Sequence, residues 1–146
     1  MLYKKKDTKR KRKPSLRAAL ERCDRAFSLY IRMRDSKDYM FKYFRCPTCG
    51  RVLPVEKADC SHYFSRRHMS TRFDPDNCVA ECSYDNRFNS SHLHRLGEYM
   101  RRRLGEQRFA LLEWKHSQAR KWTPWELDEL TKYYKALTEQ VMEGNV

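Results

Sequence analysis

Residues 46–50 read CPTCG, and residues 81–90 read ECSYDNRFNS. The pair Cys46-x-x-Cys49 followed by Gly50 has the form of a metal knuckle: two thiolates chelate one ion, and the glycine lets the backbone turn around it. Cys82 is the natural third ligand, and Asp85 stands where a second cysteine would complete Cys82-x-x-Cys. The closure of this middle segment decides the fold, because a small β region poor in large aliphatics needs a staple to hold its shape. Two residues are candidates for the fourth ligand. Cys78 makes Cys-x3-Cys with Cys82, and thiolate softness favours it. Asp85 offers a carboxylate oxygen, which zinc also accepts. The plain alternative is a set of ordinary buried cysteines.

A chain of 146 residues is long enough for one domain with a modest core. Its 32 Lys and Arg against 19 Asp and Glu give a formal charge of +13, which points to a polyanionic partner. Lys4, Lys5, Lys6, Arg10, Lys11, Arg12 and Lys13 lie in the first 14 residues, a basic tail expected to be disordered when free and to neutralise phosphates. A solubility tail is the ordinary alternative. No apolar run approaches the roughly 18 residues of a membrane span, so no membrane partner is expected. The N-terminal basic residues have no apolar stretch behind them and do not read as a secretory signal. The six cysteines are therefore expected in a reducing, cytoplasmic setting, where paired cysteines mean metal or chemistry more often than disulfides.

Around this middle the pattern is helical. Ser15 is an N-cap, and Leu16, Leu20, Cys23, Phe27, Tyr30 and Ile31 recur on one face, with Cys23 read as core. From 44 to about 84 the helical period disappears, and Gly50, Pro54 and Pro75 punctuate short segments that suit a hairpin and loops. Helical spacing returns with Leu93, Leu96, Met100 and Leu104, capped by Gly105, before a short helix over 106–116. Thr123-Pro124-Trp125-Glu126 is a capping box, and Leu127, Leu130, Tyr134, Leu137 and Val141 form the stripe of a last helix. The expected organisation is a tail over 1–14 and one domain over 15–146. Within it, 15–43 is an N-terminal helix, 44–105 the cysteine core and 106–146 C-terminal helices.

His62, Asn77 and His92 form a second constellation. Imidazole, with an unperturbed pKa of about 6.5, can take a proton from water near neutrality, and a second imidazole can hold a cation. Each residue alone is unremarkable; the order His, Asn, His inside a zinc-like frame is much less common. With Cys46-x-x-Cys49-Gly50, Asp59-x-x-His62-Tyr63, Thr71-Arg72-Phe73, Asn77, Cys82 and Asn86, and with Trp122-Thr123 opening the last helix, the chain resembles the NinG (Rap) recombination proteins of lambda-like phages, within the HNH nucleases. The resemblance covers roughly residues 15–140.

The resemblance implies an α+β, mostly helical fold: a zinc-stapled ββα-metal (HNH) core flanked by N-terminal and C-terminal helices. It puts Asp85, rather than Cys78, at the fourth zinc position. The expected activity is metal-dependent hydrolysis of DNA phosphodiesters, in branched intermediates such as Holliday junctions. His62 would be the general base, Asn77 would tie down its loop, and His92 would hold Mg²⁺ or Mn²⁺, with Asn89 or Asp59 as further ligands. Arg66, Arg67, Arg72 and Arg87 would clamp phosphates, although any one of them could equally be a solvated surface residue. Of Tyr63 and Phe64, one is expected to pack inside and the other to face out. Ser61 stands where many HNH sites carry an acid, and His92 stands where the family's usual residue is Asn. Symmetric cutting of a junction fits a homodimer. The expected location is the cytoplasm of a bacterial host, with the chain encoded by phage or prophage. A non-catalytic, zinc-stapled nucleic-acid-binding protein is the alternative, in which both histidines are incidental.

Overall fold

The computed structural model describes residues 15–144. The basic tail residues Lys4, Lys5, Lys6, Arg10, Lys11, Arg12 and Lys13 lie outside the described residues. The described chain is mostly helical, with two small antiparallel sheets set between the first helix and the last two.

Helix α1 spans Leu16–Ser36, and the Ser15 hydroxyl accepts from the Ala18 amide at its start. Ala19, Cys23, Phe27 and Ile31 recur every four residues and are fully or almost fully buried. They pack on Leu127 and Tyr134 of the last helix, α4, Pro124–Met142. Burying one large apolar side chain stabilises by about 1.5–3 kcal/mol, so this helix pair is the main source of cohesion. Leu16 remains 46% exposed, because the packed cluster begins only at Ala19, one turn on. The capping box of α4 is complete: Thr123 accepts from the Glu126 amide, and Glu126 accepts from the Thr123 amide.

Strands β1 (Tyr43–Arg45) and β2 (Val52–Pro54) form the hairpin that carries the CPTCG turn. Strands β3 (Ala58–His62) and β4 (Cys78–Cys82) form the second sheet, in which His62 pairs with Cys78 and Asp59 with Glu81. The outer edge of β4 is satisfied by α1. Asp35 accepts from the Ala80 amide at 2.8 Å, and Arg34 donates to the Cys78 carbonyl at 2.8 Å. The other edge of the pair, along β3, has no strand neighbour among the described residues.

After β4, a short helix α2 (Ser83–Phe88) leads to α3 (His92–His116). Gly105 breaks α3 with φ 74° and ψ 168°, so the expected cap and following helix are the two halves of one kinked element. Leu96, Met100, Leu104, Phe109 and Leu112 of α3 pack on Val79. Leu93 departs from this stripe and is 47% exposed. Tyr63 and Phe64 correct the expectation of one ring in and one out: both are half-buried against this cluster. Room for Tyr63 comes from Gly97, where a Cβ would lie 3.1 Å from the ring.

Candidate active site and metal centre

The thiol cluster is assembled by a turn and a helix start. Gly50 takes φ +74° in open space, and its amide donates to the Cys46 carbonyl at 2.9 Å, which folds Cys49 back beside Cys46. Cys82 is the N-cap of α2, so Asp85 falls one turn on and faces the same point. One ligand atom from each of Cys46, Cys49, Cys82 and Asp85 lies within 4.8 Å of all the others. The Cys82 amide points at the Cys46 sulfur, and the Asp85 amide at the Cys82 sulfur. Asn89 donates to the Asp85 carboxylate at 3.0 Å.

Burial pushes the Cys46 thiol up and the Cys82 thiol up to about 12. Burial also opposes the Asp85 charge, but the Asn89 amide and the thiols of Cys82, Cys49 and Cys46 outweigh it and hold that carboxyl down at about 2. A divalent cation bound here would be held by thiolates, with the thiol protons released on binding. Amide-to-sulfur bonds and an outer residue orienting the carboxylate complete a donor set that could hold an ion such as zinc. Cys78 is not part of it. Its sulfur lies with Cys60 and His62, across the second sheet.

A cleft of about 640 Å³ is lined in part by β3. His62, Cys60 and Asp59 of β3 line it from the sheet, Asp24 and Phe27 from α1, and Asn86, Arg87 and His92 from the two later helices. Both imidazoles thus border one space. Each has one nitrogen held by an acceptor. Nε2 of His62 lies 2.8 Å from the Arg72 carbonyl, which can only accept, so Nδ1 keeps the lone pair. Nδ1 of His92 lies 3.1 Å from Oε2 of Glu81, so Nε2 is the ring nitrogen that Glu81 leaves unengaged. Burial, then the Arg66 charge, hold His62 below its ordinary 6.5, outweighing the Arg72 carbonyl, so the ring is neutral near pH 7.

Asn77 is fully buried, and its side chain bonds the Phe64 amide, the Phe64 carbonyl and the Thr71 carbonyl. It therefore ties down the loop between β3 and β4 that also supplies the Arg72 carbonyl. Asn89 is not brought to the cleft; its amide nitrogen serves Asp85 and its oxygen accepts from Ser91. Asp59 lines the cleft but is held by Arg87, Asn86 and Ser83. Burial works against its charge, yet these three partners outweigh it and keep the carboxyl below the usual range.

The four arginines separate. Arg72 is turned inward, 2.6 Å from Asp24, with both side chains mostly buried, so it is not free to clamp a phosphate. Arg87 is exposed but paired with Asp59 at 2.8 Å. Arg66 is exposed on the cleft and has no ion pair among the described residues. Arg67 is exposed and lies outside the cleft lining.

Two residues with no role in the sequence pattern hold the site together. Glu81 has no solvent exposure and accepts both from His92 and from the Thr48 hydroxyl, inside the CPTCG turn. Asp24 of α1 fixes Arg72, whose carbonyl holds His62. Glu81 had one readable signal: it is the acid in the otherwise apolar strand CVAEC. Asp24 had none, since it sits on the polar side of an amphipathic helix.

A family model described as bacteriophage lambda NinG protein matches residues 2–143. No curated protein and no solved structure matches the chain.

Proposed function

The chain belongs to the NinG family, and from that premise we propose that it is a metal-dependent endonuclease that hydrolyses DNA phosphodiesters in branched recombination intermediates. The observation that carries this reading is the pair of half-tethered imidazoles on one cleft beside the unpaired Arg66. In this reading β3, β4 and the helices that follow act as a ββα-metal core of HNH type, stapled by zinc on Cys46, Cys49, Cys82 and Asp85.

His62 is the general base. Its neutral Nδ1 takes a proton from water, while the Arg72 carbonyl fixes the tautomer and steadies the imidazolium that forms. The water oxygen attacks phosphorus as the bond to the 3′ oxygen breaks. Arg66 binds a neighbouring phosphate from the rim. Nε2 of His92 is placed to hold Mg²⁺ or Mn²⁺, which when bound supplies charge stabilisation for the departing oxygen. No carboxylate cage surrounds that nitrogen among the described residues, which suits an ion completed by water and substrate phosphate. Glu81 orients the ring, as a carboxylate behind a ligating histidine commonly does.

The test is a four-way junction incubated with the full-length protein, with and without Mg²⁺ or Mn²⁺. Metal-dependent nicking supports the reading. A protein that binds junction and duplex but leaves both intact at every metal concentration is a binding module, and the nuclease reading then fails.

A further inference from the structure

Cys60 and Cys78 have no part in the chemistry above, yet they flank its base. Cys60 and His62 lie two residues apart on β3 and so point to the same face. Cys78 is the register partner of His62 on β4. The Cys78 carbonyl and the Ala80 amide are turned outward to Arg34 and Asp35. His62–Cys78 and Cys60–Ala80 are therefore the narrow, non-hydrogen-bonded pairs of this ladder, in which side chains stand closer. Two sulfurs and one imidazole nitrogen consequently meet within 4.8 Å.

We infer that Cys60, His62 and Cys78 form a second soft-cation site, selective for zinc-type ions, whose filling withdraws His62 from base catalysis. Three donors of the Cys₂His kind leave a fourth position open, unlike the four-donor cluster at Cys46. Cys60 and His62 line the cleft, and Cys78 is fully buried beside them. Binding replaces two S–H bonds with two sulfur–metal bonds, and the two protons pass to solvent. Nε2 is held by the Arg72 carbonyl, so an ion on this ring either takes the Nδ1 that would accept the proton from water or displaces the carbonyl that fixes the tautomer, and either way the base is lost. Thiolate and imidazole prefer Zn²⁺ to Mg²⁺, so the hard catalytic ion does not compete for this place. The site stands on the geometry alone; only its inhibitory consequence rests on the nuclease reading.

The test is zinc titration of the full-length protein against a chromophoric chelator, with metal analysis. The wild type should bind two Zn²⁺ per chain. Cys60→Ser, an isosteric change at a half-buried position, and Cys78→Ala should each bind one. With Mg²⁺ constant, zinc beyond the first equivalent should suppress junction cleavage by the wild type. Each variant's zinc response is read against its own zinc-free rate. A wild type that binds a single Zn²⁺, or a second Zn²⁺ that persists in both variants, overturns the site. If the wild type cuts no DNA under any condition, the nuclease reading has failed, and the ion count still decides this site.

Discussion

Nδ1 of His92 lies 3.1 Å from a carboxylate oxygen of Glu81, a side chain with no solvent exposure. The same carboxylate accepts from Thr48, between the two knuckle cysteines. One buried acid thus links the thiol cluster to a cleft imidazole. Glu81→Gln keeps the shape and removes the charge. It should lower the cleavage rate about 10–100-fold and raise the Mn²⁺ concentration needed for half-maximal rate. An unchanged metal dependence would show that Glu81 only supports the fold.

His62→Ala should bind a four-way junction with wild-type affinity and lose about 10²–10⁴ of the rate, the usual worth of a general base. Parallel binding and single-turnover cleavage measurements check this. Retained cleavage removes His62 from the reaction, and lost binding makes it a structural residue.

The pH profile carries a sign. His62 is held below 6.5 in the fold, chiefly by burial, so the acidic flank of the rate should lie below 6.5. The unfolded chain, with the ordinary value, takes up the proton first. Stability contributed by keeping His62 neutral is therefore present above 6.5 and is lost as pH falls through the depressed value. Rate and denaturant melts across pH 5–8 test both; an acidic flank at or above 6.5 contradicts the assignment.

Arg66 and Arg72 should differ in kind. Arg66→Ala should weaken DNA binding and reduce the salt slope by about 1, with the melt unchanged. Arg72→Ala leaves Asp24 mostly buried without its partner and should cost about 3 kcal/mol of stability, the low end for breaking a buried pair. Salt-dependent binding isotherms and chemical melts separate the two effects.

Asp85→Cys replaces the oxygen donor of the thiol cluster with sulfur. Zinc at this site should then survive a higher chelator concentration than in the wild type. Stripping zinc from the wild type should lower its melting temperature, because binding to the folded state alone stabilises it. A melting temperature indifferent to the chelator would argue against a structural ion.

The helices were legible because their signals are local. Ser15, the Thr123–Glu126 box and the four-residue recurrence from Ala19 to Ile31 each act within one turn or one face. Cys46 and Cys49 were legible because chelate spacing is also short-range, and Cys82 through its own short spacing to Asp85. Spacing alone left Asp85 and Cys78 open, since both spacings can chelate, and only the family resemblance favoured Asp85. The choice turned on strand register, which sends Cys78 to pair with His62 and leaves Asp85 on the helix turn after Cys82.

The arginines show the same boundary. All four candidates look alike in sequence, and a partner 48 residues away on α1 turns Arg72 inward. The sequence by itself determined the helical frame, the knuckle, the candidate imidazoles and the basic charge, because these depend on composition and on spacing within one element. Only the tertiary structure decided which carboxylate backs His92, which sulfurs neighbour His62 and which arginines are tied into ion pairs. Those relationships join elements remote in the chain, and packing sets them rather than local propensity.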